Sequence, residues 1–135
     1  MGSVQTFEDL IVWQRAMDLV ADVYRVTITF PREETYGLRQ QVRCAASSIP
    51  SNFAEGQGRG STKEFLHFLR IARGSLNEVI TQMLLARRLG YIDQVVAASN
   101  RELAEEVARL IGALVRSLES KSRDASQGNH RPASA

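Results

Sequence analysis

The sequence is poor in the residues that stabilise small disulfide-linked or strand-rich folds. It has one cysteine, three prolines and 7% aromatic residues in a chain of 135. A single cysteine, Cys44, cannot form an internal disulfide and suits a reducing compartment. No apolar run is long enough to cross a membrane, and the first residues lack the charged-then-apolar order of a signal peptide. We therefore expect a cytoplasmic protein with no membrane partner.

What the chain does contain favours helices. Apolar residues make up 44% of the sequence, and they recur at spacings of three and four rather than two. These patterns predict helices at about 7–27, 33–55, 62–89 and 93–120, with capping boxes at Thr6–Asp9 and Ser61–Glu64. Asn100 occupies an apolar slot of the fourth helix. The predicted fold is all-α: an up-down-up-down antiparallel four-helix bundle in one domain, residues 1–121, followed by a disordered tail, 122–135.

The apolar stripes predict which side chains form the core. In the first helix we expect Leu10, Trp13, Met17, Val20 and Tyr24. In the second helix we expect Leu38, Val42, Ala45, Ile49 and Phe53, and in the third Phe65, Leu69, Ala72, Leu76, Val79 and Met83. The fourth stripe comprises Val96, Leu103, Val107, Leu110, Leu114 and Leu118. Cys44 is expected to pack within the fold.

The stretch Ser48–Lys63 joins the second and third helices and has an unusual composition. Pro50 lies within the apolar stripe, where it removes a backbone hydrogen bond and predicts a kinked but continuous helix. Gly56 is expected to end that helix in the left-handed conformation. A polar row spaced four and three apart is expected to hold the kink and the turn. The resulting structural signature is Ser48, Pro50, Asn52, Glu55 and Gly56.

Three motifs suggest chemistry but lack the residues that the chemistry needs. Glu64-Phe-Leu-His67 matches half of a helical di-metal motif, yet the second copy and two further glutamates are missing. The glycines before Lys63 have the wrong order for a phosphate-binding loop and do not follow a strand. Cys44 and His67 would be more than a helical turn apart. We therefore expect no metal, no cofactor and no enzymatic activity.

Basic residues are concentrated around the same stretch. The formal net charge is only +2, but residues 35–75 hold six basic residues against Glu55 and Glu64. This predicted basic patch comprises Arg39, Arg43, Arg59, Lys63, Arg70 and Arg73. Folding the chain about Gly58 would place Arg43 level with Arg73, forming a surface able to follow a phosphate backbone. Alternatively, these arginines pair with the acids of the first and fourth helices. Aromatic residues do not interleave the expected patch, so base stacking on single strands is not indicated.

Several apolar residues lie off the main stripes and suggest a second packing surface. They are Phe7, Ile11, Leu66, Phe68, Ile71, Leu84 and Leu85. A second apolar face predicts a homo-oligomer, whereas the alternative is a wide core-facing stripe in a monomer.

Four blocks of sequence resemble one known family. The blocks begin at Phe7-Glu-Asp-Leu-Ile-Val-Trp, Arg43-Cys-Ala-Ala-Ser-Ser-Ile-Pro, Glu64-Phe-Leu-His-Phe-Leu-Arg and Leu89-Gly-Tyr. Together they are similar to the four-helix bundle family encoded by intervening sequences in bacterial 23S ribosomal RNA genes, over about residues 7–118. Cys44 and Phe53 depart from the family's pattern.

The resemblance implies a ring-like homopentamer without assigned catalytic residues. It also implies kinship with the accessory variability proteins of diversity-generating retroelements, which bind nucleic acid through basic surfaces and partner a reverse transcriptase. The sequence therefore leaves two hypotheses. The first is a non-enzymatic, oligomeric protein that binds RNA or DNA through the predicted basic patch. The second is a structural or protein-interaction scaffold that recruits a protein partner.

Overall fold

Four α-helices pack in cyclic order, each antiparallel to its neighbours. The structure, a computed structural model, describes residues 6–128. The helices are α1 (Ile11–Thr27), α2 (Leu38–Gly58), α3 (Thr62–Arg88) and α4 (Gln94–Gly128), with short 3-10 turns at Phe7–Asp9 and Arg32–Glu34. Contacts join α1 to α2, α2 to α3, α3 to α4 and α4 to α1. No strand occurs between residues 6 and 128, and the predicted all-α four-helix bundle is confirmed. Within the same residues, no helix has the length and apolar character needed to cross a membrane.

The core confirms the predicted stripes of α2 and α3 but not that of α1. All five expected residues of α2 are buried, and those of α3 are buried except for half-buried Phe65. In α1 the buried apolar residues are instead Val12, Ala16, Leu19 and Val23. Met17 and Tyr24, expected in the core, are each 43% exposed. Apolar residues surround much of α1, so its spacing fits two neighbouring faces, and the face bearing small Ala16 is the one that packs inward.

In α4 the core face lies beside the predicted stripe. Asn100 is 1% exposed, as its slot in the apolar pattern predicted. Of the predicted stripe, Val107 and Leu118 are buried, whereas Val96, Leu103, Leu110 and Leu114 are half-buried. Ala104 and Ile111, which were not predicted, are fully buried. Cys44, expected to pack within the fold, is exposed.

Besides the end of α2, which is described below, three helix ends differ from the predicted ones. α1 begins at Ile11 rather than residue 7, because residues 7–9 form a separate 3-10 turn in which the Thr6 N–H donates to Asp9 Oδ2 at 3.2 Å. α2 begins at Leu38 rather than near residue 33. α4 continues to Gly128, past the predicted end near residue 120, so the first part of the expected tail is helical. Residues 129–135, the rest of that predicted tail, lie outside the described residues.

Glu34 fixes the start of α2 and links it to the α3–α4 connection. Its Oε1 accepts the Leu38 N–H at 3.0 Å, and its Oε2 accepts the Tyr91 hydroxyl at 2.9 Å. These hydrogen bonds, with the Leu38 N–H first, hold the pKa of Glu34 below its usual value. The same contact raises the pKa of the Tyr91 hydroxyl. Two connections at one end of the bundle are therefore held together through one carboxylate.

The turn between α2 and α3 lies further along the chain than predicted. Gly56 does not end α2: it is buried inside the helix, and the left-handed residue is Gly60, with φ +80°. A Cβ on Gly56 would lie 2.8 Å from the Cβ of Phe68 and 3.1 Å from Cδ1 of Phe65. Gly56 is therefore needed because it lets α3 approach the α2 backbone, rather than because of its own backbone conformation.

The remaining signature residues hold this hairpin together. Pro50 is buried within a continuous α2, as predicted. Asn52 Nδ2 donates to the carbonyl and the hydroxyl of Ser48, at 2.7 and 2.9 Å. The Ser48 hydroxyl in turn lies 3.0 Å from the hydroxyl of Ser75 on α3. Glu55, the third member of the predicted polar row, makes no hydrogen bond to Ser48 or Asn52 and instead pairs with Arg59 at 2.7 Å.

Alanine substitutions at two glycines of α2 should separate packing from helix propensity. We expect Gly56→Ala to lower the free energy of unfolding by about 1–3 kcal/mol, because its methyl group would overlap Phe68. The control is Gly58→Ala, where a Cβ meets nothing within 4 Å and stability should be unchanged or up to about 1 kcal/mol higher. Urea denaturation of both variants measures the difference. Equal effects of the two substitutions would contradict the close approach.

Candidate nucleic-acid interface

Two members of the predicted basic patch, Arg39 and Arg43, bind the end of α1 and the loop after it. Arg39 Nη2 donates to the carbonyl of Phe30 at 2.6 Å. Arg43 Nη2 donates to the carbonyl of Tyr24 at 3.1 Å. The last carbonyls of a helix lack intrahelical partners and carry partial negative charge, so they attract cations. These two arginines thus bind backbone carbonyls, rather than the acids that the alternative interpretation expected.

Arg43 makes two further contacts with α1. Its Nε donates to the hydroxyl of buried Thr27 at 2.8 Å, and its guanidinium lies 4.6 Å from the centre of the Tyr24 ring. The Thr27 hydroxyl itself donates to the carbonyl of Val23 at 2.7 Å. This chain of contacts joins α2 to the final turn of α1. The structure therefore gives Arg43 an evident role in helix packing.

The expected merging of Arg43 with Arg73 does not occur. The pairing of Ser48 with Ser75 and the contact of Gly56 with Phe68 set the register of α2 against α3. In that register Arg43 lies level with about residue 80, some two helical turns from Arg73. Arg39 and Arg43 also point toward α1, on the side of α2 opposite the residues that contact α3. The predicted basic patch is therefore divided between two sides of the bundle.

The basic residues of α3 instead lie beside those of α4. Arg70 Nη2 lies 3.4 Å from Glu119 Oε1, which sets the antiparallel register of α3 against α4. Arg73, one turn later on α3, is then level with Arg116, one turn earlier on α4. Arg123 follows Glu119 by one turn on the same face. We name Lys63, Arg70, Arg73, Arg116 and Arg123 the α3–α4 basic surface; all five are exposed.

This surface has little internal neutralisation. Glu119 pairs with Arg70 across the helices, and among the described residues neither Lys63 nor Arg73 has an ion-pair partner. Sequence reasoning missed Arg116 and Arg123 because they are distant in the chain from the other basic residues. Arg116 is three residues before Glu119 and Arg123 is four residues after it, so the three side chains lie on one face of α4. This spacing could have been recognised in the sequence.

Arg59 belongs to a separate cavity at the α2–α3 turn. Its guanidinium pairs with Glu55 and lies 5.3 Å from the centre of the Phe68 ring. Arg59, Lys63, Glu64, His67 and Phe68 line this open cavity of about 480 Å³, which we name the turn cavity. The fold thus places two aromatic rings beside basic residues, contrary to the expectation that no aromatic side chain would lie among them.

A polar cluster between α1 and α4 is built from ion pairs. Arg15 donates to both carboxylate oxygens of Glu106, at 2.9 and 2.7 Å, and this contact holds the pKa of Glu106 below its usual value. Asp22 is buried, accepts the Asn100 amide at 2.8 Å and pairs with Arg25. Between residues 6 and 128, no group of three or more His, Cys, Asp or Glu side chains is arranged to hold a metal ion.

Comparison with known proteins agrees with this architecture. The family model of the 23S rRNA-intervening sequence protein matches residues 8–113. The chain belongs to this family. Among solved structures, the chain is similar to a protein of unknown function from the S23 ribosomal protein family of Bacteroides thetaiotaomicron. That match has a TM-score of 0.70 and 19% identity and covers 78% of this chain and 98% of the other, so it shows a shared fold. No curated protein matches the chain.

Arginines on the two sides of the bundle should differ in their effect on stability. We expect Arg43→Ala to lower the free energy of unfolding by about 1–2 kcal/mol, because it removes hydrogen bonds to the end of α1. Arg73→Ala removes the same charge from an exposed site and should change stability by less than about 0.5 kcal/mol. Thermal and urea denaturation compare the two. Similar stability of both variants would contradict a packing role for Arg43.

Proposed function

We propose that this protein is a non-enzymatic nucleic-acid-binding protein that contacts phosphates of RNA or DNA through the α3–α4 basic surface. The observation that supports the proposal is the concentration of five exposed basic residues around one acid on two adjacent helices. Such a surface attracts a polyanion and gains affinity when condensed counterions are released. The family's name associates it with 23S rRNA, so structured RNA is tested beside duplex DNA.

The geometry of the surface suits a backbone rather than a single phosphate. Lys63 and Arg73 are separated along α3 by about 15 Å of helix, and Arg116 and Arg123 extend the basic surface sideways onto α4. The Arg70–Glu119 ion pair is exposed, with side chains 57% and 39% accessible. An exposed ion pair contributes little to stability, so Arg70 can exchange its carboxylate for a phosphate at low cost.

Removal of two surface arginines should weaken binding and its salt dependence together. We expect Arg70→Ala/Arg73→Ala to lower affinity for duplex DNA and structured RNA about tenfold or more at low salt. The slope of log affinity against log salt concentration should fall by about two, close to one for each lost phosphate contact. Fluorescence anisotropy across a salt series measures both quantities.

The matched control removes two arginines from the opposite end of the bundle. Arg32→Ala/Arg87→Ala makes the same change in net charge at two exposed sites, and we expect it to retain most of the affinity and the slope. A salt-independent affinity of the unmodified protein would contradict the proposal. Equal losses in the two double variants would contradict the assignment to the α3–α4 basic surface.

We also propose that the protein assembles into a homo-oligomer. Four large side chains at the end of the bundle opposite the α2–α3 turn are at least half exposed: Ile28, Tyr36, Leu89 and Val95. Of the apolar residues expected to form a second surface, Ile11, Ile71, Leu84 and Leu85 are also exposed, whereas Leu66 is in the core. Large exposed apolar patches on a folded protein commonly mark the surfaces through which it associates with other molecules.

The mass in solution tests the assembly. Multi-angle light scattering should give a multiple of the 15.0 kDa chain, about fivefold for the pentamer implied by the family resemblance. Tyr36→Ser/Val95→Ser, which replaces an aromatic ring and an apolar side chain by small polar ones at sites 88% and 78% exposed, should lower the mass if this end forms the contact. A mass of one chain across micromolar concentrations would contradict oligomer formation.

A further inference from the structure

We infer that the turn cavity is a stacking site for one unpaired base of a single-stranded nucleic acid whose phosphates lie on the α3–α4 basic surface. This inference rests on the proposed function and narrows it, because it specifies single-stranded rather than duplex segments as the preferred ligand. The observation that supports the inference is that aromatic rings and basic side chains line the same open cavity.

The cavity presents two aromatic rings in a fixed arrangement. The rings of His67 and Phe68 are 5.4 Å apart between centres and inclined at 76°, so one edge faces the other. Phe68 packs closely against Gly56 of α2, where a Cβ would lie only 2.8 Å from the Phe68 Cβ. His67, in contrast, is exposed and contributes nothing to the buried core. The cavity volume of about 480 Å³ lies within the usual range for small-ligand sites, about 300–1,000 Å³.

The guanidinium of Arg59 adds a third planar group. It lies 5.3 Å from the centre of the Phe68 ring, and its Nη2 is held by Glu55 at 2.7 Å. Arginine guanidinium planes and aromatic rings are the two kinds of side chain on which unpaired bases stack. Glu55 thus keeps the Arg59 guanidinium beside the Phe68 ring, and three planar groups lie around one cavity.

Basic residues flank the rings along α3. Lys63 is one turn before His67 and Arg70 is one turn after it, so the three side chains lie on neighbouring positions of the outer face. A strand whose phosphates contact Lys63 and Arg70 would bring the intervening nucleotide beside His67 and Phe68. A base in a duplex is stacked and paired and cannot enter, whereas an unpaired base can turn into the cavity. A phosphate-binding surface with an adjacent ring-lined cavity therefore fits a single strand.

The experiment uses the full-length chain and four oligonucleotides of equal length. They are a single strand with one central 2-aminopurine, in RNA and in DNA form, the same DNA strand with an abasic site at that position, and the matching DNA duplex. Stacking on protein side chains quenches 2-aminopurine fluorescence. We expect quenching of the single strands on binding, little change for the duplex, and an affinity for the abasic strand about tenfold lower than for the intact one.

Two substitutions remove the rings without removing positive charge. His67→Ala and Phe68→Leu should each abolish most of the quenching and lower single-strand affinity about fivefold to tenfold, with duplex affinity and salt slope unchanged. Phe68→Leu keeps an apolar side chain against Gly56, and its melting temperature checks that the hairpin is intact. The matched control is Asn77→Ala, an exposed site further along α3, which should leave all readings unchanged.

The outcomes separate this inference from the proposed function. Equal affinity for intact and abasic strands, or full quenching in both ring variants, would overturn the stacking site while salt-dependent binding to the α3–α4 basic surface remained. Absence of binding to all four oligonucleotides and to structured RNA would overturn both. Quenching that is lost in His67→Ala and retained in Asn77→Ala supports the stacking site.

Discussion

The contact of Gly56 with Phe68 is the constraint on which the α2–α3 half of the bundle depends. A hydrogen atom in place of a side chain lets the α2 backbone meet α3, and this contact sets where each turn of one helix lies against the other. The Ser48 and Ser75 hydroxyls repeat the same register two turns further along. A register shifted by one turn would bring other basic residues into proximity and would break up the turn cavity.

The fold could be predicted from the sequence because α2 and α3 each have one unambiguous apolar stripe. The face of α1 that packs against the core was predicted wrongly, because Met17 and Tyr24 are large apolar residues at helical spacing and yet remain exposed. The turn was misplaced because Gly56, Gly58 and Gly60 all satisfy the composition expected at a helix end. Only the packed structure shows that one glycine serves helix contact and another, Gly60, serves the left-handed turn.

The candidate site was predicted in part, and the reason lies in what arginine can bind. Arg43 and Arg73 are equivalent in a count of charges, yet one binds the terminal carbonyls of α1 and the other is free of an ion pair among the described residues. Arginine is suited to both roles because its planar fork forms several directed hydrogen bonds. Counting charges along the chain therefore overestimated how many basic residues α2 contributes to an exposed surface. The basic residues of α4 could be added only once the Arg70–Glu119 contact showed how α4 aligns with α3.

The buried pair of Asp22 and Asn100 has a consequence for how the chain avoids incorrect structures. A slide of α4 along α1 by one turn would place the Asp22 carboxylate against Ala97 or Ala104 and leave it without its amide donor. Asp22 would keep Arg25, but the buried Asn100 amide would lose its acceptor, and such unsatisfied buried polar groups are unfavourable, whereas sliding apolar side chains past one another costs much less. The pair thus penalises the misaligned bundles that apolar residues alone would tolerate, and it favours a single native alignment over a set of near-equivalent ones.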